Sequence, residues 1–236
     1  MLERKLPTLN LLRFDLLSIF EQLQVEEALL RTGSGNWCIL NSGSPLSAIV
    51  MGISGKAEEH IEPHAQISVI RRFSGGGTVV VDDQTCFFSL ILDHDLFSCS
   101  CPKKFLAYCG SLIKPAFSHL PFQVSENDFT LDDQKIGGNA QHFTNLRRIH
   151  HTSFLWDYSK EKMSLLKFPS KVPQYRKGRD HNSFCTTLKD HFSSKNDFLD
   201  QVEKAISSQF TLHSKAPEDV DVYLSTPHRQ SLVLLK

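Results

Sequence analysis

Net charge is absent from this chain: 26 basic side chains balance 26 acidic ones, so the formal charge at neutral pH is zero. That excludes binding nucleic acid by bulk charge, and any partner has to be recognised through local patches. Also missing is a run of about 18 apolar residues, so no membrane-spanning helix is expected. The six cysteines (Cys38, Cys86, Cys99, Cys101, Cys109 and Cys185) include no CxxC pair, and they read as free thiols in a reducing compartment. In the first 30 residues Glu3, Asp15 and Glu21 offset Arg4, Lys5 and Arg13, which is not the pattern of a signal peptide. A transit peptide is richer in Arg and Ser and poorer in acids. The cytoplasm is therefore the expected compartment, with the mitochondrion as the alternative. No internal repeat, low-complexity tract or long linker interrupts the chain.

What is present suits a compact enzyme. The 236 residues are 40% hydrophobic and 22% charged, with 17 Phe against 4 Tyr, and they read as a single, monomeric domain over 1–236 with a core of about 15–215. Asp15 is expected to cap a helix running to about Arg31, with Leu16, Ile19, Phe20 and Leu23 on one face and Gly33 as its stop. Strands are expected at Trp37–Leu40, Ala48–Ile53, Ile67–Phe73, Thr78–Val81 and Cys86–Leu92. A helix opening at Pro102 carries Phe105, Leu106, Cys109, Leu112 and Ile113 on one side, and Pro115 ends or kinks it. Phe122–Tyr158 reads as a β-meander. Beyond it come a short helix at Lys160–Lys167, a basic loop, and helices near Phe184–Phe192 and Asn196–Phe210. Strands in the middle and helices at the ends give an α+β fold with a mostly antiparallel sheet flanked by helices.

Three consecutive glycines stand out in Arg71-Arg72-Phe73-Ser74-Gly75-Gly76-Gly77-Thr78-Val79-Val80-Val81-Asp82. Glycine reaches positive φ and has no Cβ, so such a loop lets a ligand approach the backbone, and the two upstream arginines point to an anion. A Rossmann or Walker phosphate site needs a helix directly after its glycines, whereas Val79-Val80-Val81 is strand-like. About 50 residues on come Asn127-Asp128-Phe129 and then Lys135-Ile136-Gly137-Gly138-Asn139-Ala140-Gln141, followed by His150-His151.

In order, spacing and residue type, from about Glu21 to about Leu188, these elements resemble the lipoate-protein ligases of the biotin and lipoate ligase superfamily. The resemblance implies a catalytic domain of that type, similar to class II aminoacyl-tRNA synthetases. It also implies that lipoate is activated with ATP and Mg²⁺ and passed to a lysine of a lipoyl domain, in a 2-oxoacid dehydrogenase complex or the glycine cleavage H protein. Lys135 would be the catalytic lysine, offsetting repulsion between carboxylate and α-phosphate and stabilising the charge that builds as pyrophosphate leaves. Arg72 would hold phosphate or adenylate oxygens. Ser74, Gly75, Gly76, Gly77 and Asp82, with Gly137, Gly138, Asn139 and Ala140, would surround the acyl-adenylate. Asn127 and Asp128 would face the nucleotide, with Asp128 as the Mg²⁺ ligand. Neighbouring strand residues point to opposite faces, so His150 and His151 cannot easily share one ion. One is expected buried and one exposed, with His151 adjacent to the site. Gly52 would border the acyl pocket, for which Val79, Val81, Phe88 and Ile136 are candidate linings. The segment Lys167–Arg179, with five basic residues and no acid, reads as a docking surface for an acidic lipoyl domain, as a loop for ATP phosphates, or as a solvated loop.

Two features depart from the family pattern. Val81 stands where the glycine-loop motif commonly carries a histidine. After His151 only 85 residues remain, which implies a short form without the accessory C-terminal domain of many bacterial ligases. Three other functions stay open: an ATP-independent octanoyl or lipoyl transferase, for which Cys185 is the one cysteine downstream of Lys135; biotin ligation; and a non-catalytic lipoyl-domain binding module.

Overall fold

The computed structural model describes residues 5–169 and 172–236. Twelve strands are assigned there: β1 (Thr8–Phe14), β2 (Asn36–Asn41), β3 (Ala48–Met51), β4 (Ser68–Arg71), β5 (Val79–Val81), β6 (Thr85–Asp93), β7 (Phe122–Ser125), β8 (Asp128–Leu131), β9 (Gln134–Phe143), β10 (Arg147–Leu155), β11 (Thr211–Lys215) and β12 (Val233–Leu234). Eight of them form a sheet in the order β11-β1-β2-β6-β10-β9-β8-β7, and four form a smaller sheet, β12-β4-β3-β5. Only β11-β1, β1-β2 and β3-β4 pair in parallel. The expected mostly antiparallel α+β fold is thus observed.

Among the described residues seven α-helices surround the sheets: α1 (Ile19–Thr32), α2 (Ala57–His60), α3 (Pro102–Ile113), α4 (Lys160–Met163), α5 (His181–Phe184), α6 (Lys195–Ser207) and α7 (Asp221–Ser225). β6 sits at the centre of the large sheet and is buried from Thr85 to Leu92, as a strand covered on both faces must be. On one face Phe88, Leu90 and Phe154 pack with Phe105 of α3 and Phe198 of α6. On the other, Trp37, Phe87, Ile91 and Ile149 pack with Leu23 and Leu29 of α1 and with Val50, Ile70 and Val81 of the small sheet. A third cluster, Ile49, Met51, Ile61 and Val69, covers the far face of the small sheet. Where the two sheets face each other near β9 and β10, the site opens.

Several elements differ from expectation. Residues 8–14 form β1, which the sequence reading passed over, and β1 delays the first helix to Ile19. Ser18, not Asp15, caps it, its hydroxyl accepting the Glu21 N–H at 3.3 Å. Leu16 lies between them at φ +59° and is exposed, while the Asp15 carboxylate accepts the Ser42 hydroxyl. Phe184–Phe192 is not a helix beyond Phe184. Thr186 N–H donates to the Lys135 carbonyl and Leu188 N–H to that of Leu155, both at 2.9 Å, so this backbone is spent on strands β9 and β10. α4 stops at Met163, and Leu166 bridges to Ile61 instead. The closing strands β11 and β12 also went unread.

Candidate active site

The cavity between the sheets has a volume of about 800 Å³. Its walls include Ile19, Leu23 and Phe87 on the apolar side, the loop Gly75–Gly77, Ala140 and His151 of β9 and β10, and the residues around Lys135. Of the expected residues, Arg72, Gly75, Gly76, Gly77, Asn127, Asp128, Lys135, Gly138, Asn139, Ala140 and His151 all line it. The structure therefore gathers into one place elements spread over about 80 residues of sequence.

Lys135 leaves β9 just after the tight β8–β9 turn, and its ammonium lies 2.7 Å from Asp128 Oδ1. The other carboxylate oxygen of Asp128 accepts the Tyr175 hydroxyl at 2.7 Å. Burial, then the charge of Asp128 and this hydrogen bond, keeps the Tyr175 phenol protonated by raising its pKa. Asn139 donates to the Asn127 carbonyl at 3.0 Å and its amide oxygen accepts Thr152 Oγ1–H at 2.7 Å, which ties the turn before Asp128 to the middle of the sheet.

Arg72 is buried and clasps the glycine loop. Its Nε donates to Ser74 Oγ at 3.1 Å, one terminal nitrogen to the Val50 carbonyl at 3.2 Å, and the other to the carbonyls of Gly75 and Gly77 at 2.9 and 2.8 Å. The network continues inward: Ser74 Oγ is 2.7 Å from His151 Nε2, and His151 Nδ1 is 2.7 Å from Glu26 Oε2. The second oxygen of Glu26 takes Gln22 Nε2 at 2.9 Å and the Ser89 hydroxyl at 2.5 Å. Burial works against the ionised Glu26 carboxylate, yet its pKa stays below the ordinary value through the charge and hydrogen bond of His151, helped by Ser89 and Gln22. An ionised, fully buried carboxylate thus anchors the loop through one imidazole and one hydroxyl.

The glycines differ in what they do. A Cβ on Gly52 would sit 2.4 Å from the Gly76 carbonyl oxygen, so Gly52 is there because the loop passes directly over it. Gly76 has φ +111°, and its Cβ would meet the Arg72 guanidinium at 2.8 Å. Around Gly75 and Gly77 a Cβ would meet nothing within 4 Å, and these two face the open cavity.

Three expected residues stand outside the cavity wall. Ser74 acts from behind the loop. Asp82 shapes the β5–β6 turn, its carboxylate accepting Gln84 N–H at 2.9 Å and pairing with Lys162. Gly137 is a packing glycine, whose Cβ would lie 2.9 Å from Thr152 Cγ2. Among the candidate acyl linings Val79 and Val81 border the cavity, whereas Phe88 and Ile136 belong to the core beneath α3. His150 and His151 do point to opposite faces. Neither is exposed: His150 is fully buried and His151 partly so. Burial, then the neighbouring His151, lowers the His150 pKa to about 3. Sequence reading missed Glu26, Tyr175 and the placement of Cys185 beside Lys135. The signal for Glu26 was there to read, since a Glu pair on the buried side of an apolar helix needs a reason. Of the basic segment, Lys171 falls outside the described residues.

A model of the lipoyl protein ligase A/B catalytic domain matches residues 18–211. The chain belongs to this family. A Plasmodium falciparum (isolate 3D7) protein named inactive lipoate-protein ligase 2 is 28% identical over 258 aligned positions, covering 80% of this chain. The chain spans 66% of the length of that relative. Among solved structures, lipoate-protein ligase A bound with ATP superposes with a TM-score of 0.73 at 16% identity, covering 94% of this chain and 96% of the other. A bi-partite lipoate protein ligase from Thermoplasma acidophilum, studied with its E2 lipoyl domain, gives 0.72 at 16% identity, with 94% and 91% covered. These likenesses show the catalytic-domain fold of the family.

Proposed function

We propose that this protein activates lipoate, or the shorter octanoate, with ATP to an acyl-adenylate and transfers the acyl group to a lysine of a lipoyl domain. The observation that carries the reading is the position of Lys135, at the junction of an apolar cavity and a polar end built from Asn127 and Asp128 and roofed by the open glycines. With an acid tail of eight carbons in the apolar side of this cavity of about 800 Å³, the carboxylate would lie beside a lysine whose charge offsets its repulsion with the α-phosphate. In transfer a neutral lysine amine attacks the acyl carbonyl, the bond between that carbon and the phosphate oxygen breaks, and AMP leaves as the amide forms. The solved relatives named for ATP and for an E2 lipoyl domain support both substrates.

Among the described residues no cluster of three or more metal-ligating side chains exists. The donor set suits Mg²⁺ carried on nucleotide phosphates and held by one carboxylate, Asp128, better than a protein cage. Bound there, Mg²⁺ would supply neutralisation of phosphate charge.

A second reading has one observation in its favour. Cys185 lines the same cavity and bridges Lys135 in a parallel β-contact, as an acyl-carrying thiol of an ATP-independent transferase would need to. Burial raises its pKa against the opposing charge of Lys135, so the thiol is held protonated and is a poor nucleophile in this state. The ligase reading therefore ranks first.

The intact mass of an apo lipoyl domain tests both. One sample contains this protein, lipoate, ATP and Mg²⁺; in another, lipoyl-adenylate replaces lipoate and ATP. A lipoyl mass gain in the first establishes the ligase, and a gain only in the second restricts the chain to transfer. No gain in either removes the proposal.

A further inference from the structure

The basic segment near the cavity mouth is resolved by the structure into residues with different tasks. Lys167 donates to the Glu58 carbonyl at 2.7 Å, and Arg179 clasps the β8–β9 turn through Asp133, with O–N distances of 2.8 and 3.3 Å. Lys177 is exposed in a left-handed turn at φ +51°. Among the described basic residues of the segment, Arg176 alone is both buried, at 3% exposure, and part of the cavity wall.

Its guanidinium is held with little freedom. The carbon Cζ lies 4.4 Å from the centroid of the Phe168 ring and 4.8 Å from that of Phe184, and Nε donates to the Arg179 carbonyl at 2.7 Å. Two aromatic faces and one carbonyl fix the plane of the fork without using its outer edge. On that edge one terminal nitrogen, Nη2, is buried and finds no hydrogen-bond partner among the described residues. A buried cationic donor left unsatisfied is costly unless a ligand completes it. Of the two carboxylates whose charge reaches it, Asp180 accepts the Ser183 N–H and hydroxyl, and Asp128 is engaged on both oxygens by Lys135 and Tyr175. Neither carboxylate hydrogen-bonds Nη2, which leaves that nitrogen open to an acceptor brought by a ligand in the cavity.

We infer that Arg176 is a phosphate-holding residue of the nucleotide site, its unsatisfied Nη2 donating to a polyphosphate oxygen on the Lys135 and Asp128 side of the cavity. This rests on the ligase reading for the identity of the nucleotide, though the anion site itself is defined by the guanidinium. A planar, pre-oriented fork is suited to a phosphate, whose oxygens accept from several directions. The two aromatic contacts also set how the segment responds. With the phosphate in place, Arg176 links residues 173–179 to the ligand, and Tyr175 next to it bears on Asp128.

Binding is measured by calorimetry on the full chain, with ATP, inorganic tripolyphosphate and lipoate each titrated separately in Mg²⁺ buffer. Arg176→Gln, which keeps the stem and a planar end but removes the charge, is expected to weaken ATP and tripolyphosphate by ten-fold or more and to leave lipoate affinity unchanged. Lys177→Gln, the same charge change at an exposed neighbour, is expected to alter none of the three. Equal phosphate affinity in Arg176→Gln, or a loss confined to lipoate, overturns the assignment. A wild type that binds neither phosphate overturns it together with the ligase reading. If tripolyphosphate binding depends on Arg176 but no acyl-adenylate forms, the anion site stands and the ligase reading falls. Should Arg176→Gln fail to fold, NMR of the wild type decides: the Arg176 guanidinium resonances must shift on adding tripolyphosphate, and unmoved resonances refute the site.

Discussion

Lys135 meets a carboxylate that two donors share, so its ammonium is positioned before any ligand arrives. Replacing it with Ala removes the charge while the backbone contacts that build β9 persist. Lys135→Ala is expected to abolish acyl-adenylate formation and leave the thermal transition in place; turnover at the wild-type rate in a radiolabelled-ATP exchange assay would refute the role. His150 makes a different, titratable prediction. Folded, its pKa is lowered to about 3, so the ring is neutral in the core, while in the unfolded chain it returns to about 6.5. Below that value only the unfolded chain takes the proton, and stability falls as pH drops from about 6.5 towards 3. Between pH 7.5 and 5.0 this one group costs about 2 kcal/mol. Urea melts of His150→Gln should therefore lose about 2 kcal/mol less than the wild type across that interval, and parallel losses would show that the ring is not held neutral.

At the scale of elements, the glycine loop and the strand beneath it act as one unit. Gly52→Ala drives a methyl against the Gly76 carbonyl and is expected to cost about 1–3 kcal/mol, seen as a lowered Tm. Gly75→Ala meets open space and should keep its Tm while weakening lipoate binding, because the new methyl enters the cavity. If both variants lose stability alike, the division between packing and ligand-facing glycines is wrong. This division also explains what could be read in advance. The glycine loop, the Asn127-Asp128 turn and the Lys135 strand carry local signatures, since turns and glycines announce themselves in a few consecutive residues. Tyr175 carries none and Glu26 only the mark of an acid on a buried helix face, because their roles depend on β8 and β10 being brought to them from about 47 and 125 positions away. β1 was illegible for a related reason: Thr8–Phe14 becomes a strand by pairing in parallel with β2 and β11, not through a clean alternation of its own.

Over the whole molecule, the last residues return across α1. Ser231 and Leu232 donate their backbone N–H groups to the buried Glu27 carboxylate at 3.0 to 3.1 Å, and Val233 and Leu234 pair with β4 beside Arg71. Deleting residues 227–236 strips these donors from a carboxylate only 2% exposed, leaving Arg31 as its partner. A loss of about 3 kcal/mol is expected, and an unchanged denaturant midpoint would show that this strap is idle. β1 has a kinetic consequence as well. Thr8 to Leu12 sit in register with Thr211 to Lys215, so one edge of an early strand stays open until some 200 further residues have been made. At about 5–20 residues per second that edge waits about 10–40 s on the ribosome, available to any other unpaired strand. Slowing synthesis lengthens the exposure of the five residues Thr8–Leu12, and the yield of soluble protein is expected to fall with it whatever the stability of the finished fold.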